Sequence, residues 1–412
     1  MLFASLLKHL ISVGQLTLID AHGRTHQFIG PDAAGLKPVT VRLTDPSLHW
    51  KLALYPRLCV GEAYMAGSLV IEEGTLYDFI ALCSENLEEY DRKGSHPLWR
   101  MFERVIFALR WLQQHNPAHR SKANVAHHYD LSGQLYELFL DRDRQYSCAY
   151  FPTPGSSLED AQDSKKRHIA SKLLLKPGQR VLDIGCGWGG MALSLARQAD
   201  VEVLGVTLSE EQLKVARQRA EELQLSHKVK FELLDYRHVT GKFDRIVSVG
   251  MFEHVGVQHY SEFFDKVNEL LADDGVALLH SIGRYEGPGT TNAWIRKYIF
   301  PGGYSPALSE VLPFIEKRRM FVTDIEILRL HYAETLKNWR ERFYAARDKV
   351  TKIYDERFFR MWDFYLVGSE SAFRHMGHIV FQIQMAKRVD TVPLTRDYIY
   401  EWERTRASSA AE

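Results

Sequence analysis

The sequence predicts a doubly wound α/β sheet in the later part of the chain, preceded by a smaller α+β N-terminal domain. Three observations carry this reading. From Arg180 onward short apolar runs alternate with helical periodicity: RVLDI with MALSLARQA, VEVLGVTL with SEEQLKVARQRAEEL, and FDRIVSVG with HYSEFFDKVNELL. VKFELLDY and GVALLHSI add two further strand candidates. The first of these runs turns through Gly185, Gly187, Gly189 and Gly190 directly into a helix, the kind of junction at which open α/β sheets hold ligands. Residues 1–120 lack that rhythm, which places an accessory domain at 1–120 and a second domain at 121–412.

Within the first domain, GQLTLIDAHGRTHQFIG alternates apolar and polar residues around His22-Gly23, as a β-hairpin does. VTVRLTD is a further strand candidate, and SLHWKLALYP and LYDFIALCSENL are helical stretches on either side of LCVGEAYMAG. The opening MLFASLLKHLI is too short to span a bilayer and lacks a cleavage pattern. It is either a helix docked on its own domain or an amphipathic surface anchor. DRKGSHP (Asp91 to Pro97) is expected as a turn, WRMFERVIFALRWLQQH as a helix and QHNPAHRSKAN as the linker. VAHHYDLSGQLYELFLD then opens the second domain with helix, and Ser157 or Asp160 caps a helix expected to reach Leu175. The segment after Thr291 is expected to complete the domain with helices and loops.

Composition excludes several classes. Lys and Arg number 52 and Asp and Glu 52, so the formal charge is +0 and no nucleic-acid-binding balance exists. No run is long enough for a transmembrane helix. The four cysteines, Cys59, Cys83, Cys148 and Cys186, are scattered without a CxxC pair and read as reduced thiols in a cytoplasmic protein.

The glycine spacing is GxGxG, not GxGxxG, and no GK[ST] follows. This favours S-adenosylmethionine (SAM), an adenosyl ligand without phosphates, over NAD or ATP. Asp183, at the end of the first strand, can order the glycine turn or accept from the amino group of a SAM methionine. Thr207 and Gln212, after the second strand, are candidates for the adenosyl hydroxyls, with Glu210 or Glu211 as alternatives or as first-turn helix acids. After the third strand Asp235 can accept from an adenine amino group and Tyr236 can pack on the ring. Glu253, His254 and His280 fall at the tips of the fourth and fifth strands, but without HxH or HxxxH spacing, so no metal is expected. His127 to Asp130 (HHYD) reads as solvated or capping residues. Tyr298, Phe300, Tyr304, Tyr332, Phe343 and Tyr344 are core residues in the main, with a subset suited to an apolar substrate or a cationic intermediate. Lys165, Lys166, Arg167, Arg296, Lys297, Lys317, Arg318 and Arg319 are either solvated faces or residues that meet anionic lipid.

HHYDLSGQLYELFLD, YSCAYF, LEDAQDSKKRHI, VLDIGCGWGG, GVTLSEEQ, FDRIVSVGMFEHVG, ALLHSIG, KYIFPGGYSP, HYAETLKNWRERF and SAFR together resemble the cyclopropane fatty acid synthases and, related to them, the mycolic acid cyclopropane synthases. GEAYMAG resembles the N-terminal region of the longer members, so the likeness covers essentially the whole chain. It implies a Rossmann-like SAM-dependent methyltransferase sheet and methylene transfer from SAM to a cis double bond of an unsaturated phospholipid acyl chain, at the inner membrane surface. It also implies a bicarbonate ion held by residues that fall on Cys148, Glu253, His280 and Tyr332, with the Ile282 backbone alongside. Family SAM contacts fall on Tyr146, Ser147, Gly185, Thr207, Gln212, Tyr236 and Arg237; the reading of the glycine turn adds Asp183, Gly187 and Gly189, and that of the third strand Asp235. A homodimer and lipid docking through residues 1–120 are further implications. One departure stands out: Ser369 occupies a place where many relatives carry a cysteine, so a thiol there cannot be required for activity.

The chemistry suits this set. An isolated alkene is a weak nucleophile and must be aligned with the methyl donor away from water. The resulting cation must lose a proton to close a ring, and a carboxylate side chain would risk trapping it, whereas a bound bicarbonate takes the proton. Cys148 is then an anchor for the ion, not a nucleophile. Two rivals remain: a methyltransferase of the same fold that gives a methyl-branched lipid or an N-methylated small amine, and a non-catalytic lipid-binding protein.

Overall fold

The computed structural model describes residues 2–31, 35–93 and 133–409. These fall into two compact units. One lies within Met1–Arg110, Thr290–Pro301 and Leu336–His378; the other lies within Trp111–Gly289, Gly302–Thr335 and Ile379–Glu412. The partition differs from a single cut near residue 120 in where it puts 290–301 and 336–378. The second half of the expected turn after Lys93, the helix WRMFERVIFALRWLQQH, the linker and His127 to Asp130 lie outside the described residues.

In the first unit, β1 (Gln15–Ile19) and β2 (Thr25–Ile29) form the expected hairpin, with Leu18 opposite His26. Asp20 closes it by accepting from the backbone N–H groups of His22 (2.9 Å) and Arg24 (3.0 Å). β3 (Val39–Leu43) pairs parallel to β1, and β4 (Leu69–Glu73) pairs antiparallel to β3, giving the order β2-β1-β3-β4. One face of this sheet packs Leu16, Leu18, Val39 and Val41 against Leu52, Phe79 and Leu82 of α2 (Leu48–Leu54) and α4 (Leu76–Lys93). α1 (Leu2–Leu10) takes the docked alternative, because Phe3 and Leu7 are buried in the same core. LCVGEAYMAG is mostly α3 (Pro56–Met65), and α4 runs on to Lys93, so helix occupies the start of the segment expected as a turn from Asp91.

The second unit is built on a seven-stranded sheet. β5 (Arg180–Ile184) lies in its interior, parallel to β6 (Glu202–Thr207) on one side and to the middle strand β8 (Phe243–Val249) on the other. β7 (Val229–Leu233) extends the first side, and β9 (Leu271–Arg284) the second. β10 (Phe321–Ile327) and β11 (His378–Ala386), antiparallel to each other, complete the order β10-β11-β9-β8-β5-β6-β7. These last two strands replace the helices and loops expected there. The chain leaves β5 for β6 and returns on its far side as β8, so the topological switch lies at the carboxyl end of β5.

Helices α5 (Gly133–Phe139), α6 (Leu158–Leu173), α7 (Gly190–Ala199), α8 (Glu210–Glu222) and α9 (Tyr260–Leu270) connect or flank these strands. Ser157 caps α6 by accepting from Asp160 N–H at 3.1 Å. The helix stops at Leu173, short of the expected Leu175, because Leu174 turns left-handed at φ 51°. α10 (Ala293–Tyr298), α11 (Leu308–Lys317), α12 (His331–Ala345), α13 (Arg347–Ile353), α14 (Glu356–His375) and α15 (Asp397–Ser409) follow. No described helix is long and apolar enough to cross a membrane.

α6 corrects one expectation directly. Lys165 and Lys166 are buried and so cannot form a lipid-facing basic patch. Lys166 pairs with Asp143 and Asp163, at 2.7 and 2.8 Å.

Candidate active site

A cavity opens at the carboxyl ends of β5, β6, β7 and β8. Its floor is the glycine turn. The N–H groups of Gly185 and Cys186 both donate to Val206 O at 3.0 Å, which ties the turn to β6. Gly185 adopts φ 82°, and a β-carbon there would meet Met251 at 2.8 Å. Gly189, at φ 84°, is the N-cap of α7, and a β-carbon there would meet Phe231 at 2.7 Å. Gly187 has nothing within 4 Å of its absent β-carbon and lines the cavity. Gly185→Ala is expected to lower unfolding free energy by about 1–2 kcal/mol through the left-handed backbone alone, read from the denaturant midpoint; an unchanged midpoint would show that the turn relaxes freely.

The structure brings most of the expected cofactor residues to this cavity. Tyr146, Ser147, Asp183, Gly185, Gly187, Thr207, Gln212, Asp235, Tyr236 and Arg237 all line it, whereas Gly189 stands behind as the helix cap. Asp183 is buried, its Oδ2 has no hydrogen-bond partner, and burial pushes its carboxyl up to about 7. Thr207 Oγ1 donates to Gln212 Oε1 at 2.9 Å, so the two candidates for adenosyl hydroxyls hold each other in place. Glu211 instead accepts from Trp188 Nε1 at 3.2 Å and is not among the lining residues. Asp235 accepts from Arg237 Nε (2.9 Å) and NH2 (2.7 Å). That fork outweighs the effect of burial and holds the Asp235 carboxyl below its ordinary range. Trp188, Met251 and His254 also line the cavity; burial pushes His254 down to about 4, so its ring is neutral near pH 7. Trp188 was hidden inside a glycine motif, and Met251 carries no chemical signature in sequence.

Cys148, Glu253, His280 and Tyr332, expected around a bicarbonate, are buried and Ile282 is half-buried, and none of the five lines this cavity. Glu253 follows β8 on a short 3₁₀ turn and accepts from Ile282 N–H through Oε1 at 2.6 Å. Its Oε2 is buried without a hydrogen-bond partner, and burial pushes the carboxyl up to about 7 against the pull of the Ile282 N–H. The Ile282 amide is therefore engaged with Glu253. His280 is on β9, with Gln382 Nε2 of β11 at 3.1 Å from its Nδ1. With the amide donating, the ring's proton sits on Nε2. Burial, helped by Lys165 and Lys172, pushes His280 down to about 3 and keeps it neutral. Cys148 donates to Ala149 O at 3.3 Å, and burial pushes its thiol well up, which suits a weak donor and not a thiolate nucleophile. Tyr332 is buried in the first turn of α12. Glu253 offers a buried, unpartnered carboxylate oxygen, and His280 and Cys148 are buried and neutral, which is the donor and acceptor chemistry that a small oxyanion with a hydroxyl would require.

None of the six aromatic residues singled out between Tyr298 and Tyr344 lines the cavity. Tyr304 donates to Glu310 Oε2 at 2.6 Å, and Phe343 stacks on Phe359 at 4.9 Å, so both serve as core. Ser369 lies on α14.

Residues 116–383 match the family model described as mycolic acid cyclopropane synthetase. The chain is 37% identical over 356 residues to the cyclopropane-fatty-acyl-phospholipid synthase of Escherichia coli K12, covering 86% of this chain and 90% of the relative. It is 36% identical over 375 residues to a probable fatty acid methyltransferase of Pseudomonas putida, covering 88% and 91%. Among solved structures, the mycolic acid cyclopropane synthase CmaA1 complexed with SAH and CTAB superposes with a TM-score of 0.61 at 34% identity, covering 64% of this chain and 97% of that one. A match of this length, on a sheet whose central turn opens into a cavity of this make-up, settles the classification: the chain belongs to the mycolic acid cyclopropane synthetase family, together with the cyclopropane fatty acid synthases, and is a SAM-dependent transferase.

Proposed function

We propose that this protein transfers a methylene from SAM to a cis double bond of a phospholipid acyl chain, with a bound bicarbonate as general base. The observation that carries the proposal is Glu253: a buried carboxylate anchored through one oxygen to Ile282 N–H and left with the other unpartnered. When bound, SAM supplies the methyl group and bicarbonate accepts the proton whose loss closes the ring. Glu253 Oε2 would accept the hydroxyl of the ion, while the Nε2–H of His280 and the Tyr332 hydroxyl would donate to its oxygens, joined by the Cys148 thiol once its one hydrogen turns from Ala149 O. Because His280 and Cys148 are neutral, they hold the ion by hydrogen bonds without stripping its basicity. On the donor side, Asp183 supplies an acceptor for an ammonium group, and Thr207 and Gln212 supply a joined pair for ribose hydroxyls. The names of the Escherichia coli and Pseudomonas relatives support a fatty acyl substrate.

Incubation with SAM and a cis-unsaturated phospholipid, followed by mass spectrometry of the released acyl chains, tests this reading. A gain of one CH₂ that resists mild hydrogenation is expected. A methyl-branched chain without a ring would favour the second reading, fatty acid C-methylation, which the Pseudomonas relative's name supports. Saturable SAM binding with no lipid product would favour a non-catalytic lipid-binding protein.

Peripheral membrane contact belongs to the same proposal. Trp50 (52%), Leu54 (54%) and Tyr55 (60%) are exposed in succession on and just after α2. Between Leu48 and Gly61 the only charged residues are Lys51 and Arg57. Aromatic and aliphatic side chains interleaved with cations suit the interface of an anionic leaflet. Replacing both Trp50 and Leu54 by Ala is expected to weaken binding to anionic phosphatidylglycerol vesicles about tenfold or more, from the apolar area lost. Unchanged vesicle sedimentation would exclude this surface.

A further inference from the structure

Lys165 lies on the buried face of α6, with its side chain wholly sequestered from solvent. The helix's other buried lysines meet carboxylates: Lys166 pairs with Asp143 and Asp163, and Lys172 with Glu326 and Asp324. Lys165 Nζ instead donates to two neutral oxygens, Gln145 Oε1 at 2.7 Å and Ser147 Oγ at 2.8 Å. Gln162, one turn earlier on α6, donates to the backbone carbonyls of the same two residues, Gln145 at 3.3 Å and Ser147 at 3.1 Å. An ammonium buried without a direct counter-ion is unfavourable, so a segment that keeps one is under a specific demand.

The donor count shows what the contact does. An ammonium has three hydrogens and no lone pair to offer; a serine hydroxyl has one hydrogen and can accept. In this pair Ser147 must therefore accept, and its single hydrogen is left to donate elsewhere. Ser147 lines the cavity. A hydroxyl polarised by a buried cation binds an anionic acceptor best. Asp183 lines the same cavity with an unpartnered carboxylate oxygen, the complementary acceptor.

We propose that Lys165 is a positioning residue of the methyl-donor site: by donating to Ser147 Oγ it makes the Ser147 hydroxyl an obligatory donor toward the cavity, and so sets the site to take the carboxylate of the donor's amino-acid end. The proposal rests on the assignment of this cavity to SAM. It also has a pH signature. Burial pushes Lys165 down to about 8. The charged and titratable groups that face it are Asp141 and Asp143 in the connection between α5 and α6, Lys166 on its own helix, Cys148, Asp183 at the end of β5 and His280 on β9. Once the amine is neutral it can accept from Ser147, and the hydroxyl is no longer obliged to donate into the cavity.

Calorimetric titration of the full chain with S-adenosylhomocysteine and, separately, with 5′-methylthioadenosine, which lacks the amino-acid end, tests the idea. Lys165→Met is expected to weaken S-adenosylhomocysteine about tenfold or more, as for loss of a hydrogen bond to a charged group, and to leave 5′-methylthioadenosine unchanged. Ser147→Ala should give the same selective loss, and the double variant should lose little more than either single one. The wild-type affinity for S-adenosylhomocysteine should fall between about pH 7 and about pH 9 more steeply than that of either variant. Equal loss of both ligands in Lys165→Met would mean a merely structural role and overturn the proposal, as would unchanged affinity for S-adenosylhomocysteine. If Lys165→Met does not fold, a pH fall that persists undiminished in Ser147→Ala overturns it instead. Wild-type protein that binds neither ligand would refute the SAM assignment itself.

Discussion

Glu253→Gln is expected to cut turnover by about 10²–10⁴-fold, the usual worth of general-base assistance, while leaving affinity for S-adenosylhomocysteine near that of the wild type. The substitution keeps the shape of the side chain, and its Oε1 can still accept from Ile282 N–H. What changes is the other end. The Oε2 that is buried without a partner becomes an amide nitrogen, a donor where the proposed ion needs an acceptor. Glu253 is not among the cavity-lining residues, so donor binding is a separate readout. The pH profile gives a second check. Burial pushes the Glu253 carboxyl up to about 7, so at lower pH it is protonated and cannot accept the hydroxyl of the ion. Turnover should therefore rise with pH through about 7 and level off, and that rise should vanish in Glu253→Gln. Steady-state kinetics with SAM and unsaturated phospholipid measure both. Full turnover in the variant would remove Glu253 from the proposed chemistry.

The central strands were legible because a parallel strand buried on both faces reads as a nearly continuous apolar run, as in VLDI and IVSV, each broken by a single polar residue. The glycine turn was legible for a different reason: φ values near 82° and 84° leave few residue types besides glycine. β10 was not legible. FVTDIEI alternates, but it carries Thr, Asp and Glu and is partly exposed throughout, so its pattern is that of a loop as much as of an edge strand. β11 has the opposite ambiguity, since HIVFQIQMA buries Gln382 and Gln384 in full and reads as helix or strand equally. The site divides in the same way. Residues at strand tips follow from the fold class, which places Asp183, Thr207 and Asp235 at the cavity. Contacts made across long sequence separations do not follow from local pattern. Lys165 and Lys166 read as a solvated basic run because Ser147 and Asp143 are 18 and 23 residues away, beyond any helical spacing. Gln382, which orients His280 from 102 residues away, has no local signal at all.

Lys172 carries the largest expected effect on stability. It is fully buried on α6; its ammonium bonds Glu326 and lies 3.6 Å from Asp324 Oδ2. Glu326 also accepts from His168 Nε2 at 2.6 Å, and His168 Nδ1 lies 2.7 Å from Glu403 Oε1. Burial alone would raise the Glu326 carboxyl, but His168 and Lys172 outweigh it and hold the group well below the carboxylate range. Burial alone would lower His168, but the two carboxylates outweigh it and raise the ring. The signs then fix a window. The depressed Glu326 stabilises the fold above its unfolded pKa, and that share is lost in acid; the raised His168 stabilises it below about 6.5, and that share is lost as pH climbs through its folded value. Lys172→Ala removes one cation and leaves Glu326 to His168 alone, so it should cost about 3–5 kcal/mol, as for breaking a buried pair from one side. Lys172→Met, which keeps the packing of the stem, should cost less. The loss should be greatest on the alkaline side, where His168 is neutral and Glu326 has no cation left among its bonded partners. Chemical unfolding at mildly acid and mildly alkaline pH measures this, and equal losses at both would show that the cluster acts by packing and not by charge. The consequence reaches the chemistry through rings: Tyr150 stacks between His168 at 4.2 Å and His331 at 5.0 Å, two residues after Cys148. A fold that loosens this stack loosens the segment between α5 and α6 that carries the Cys148 thiol, so turnover in Lys172→Ala should fall before the protein unfolds.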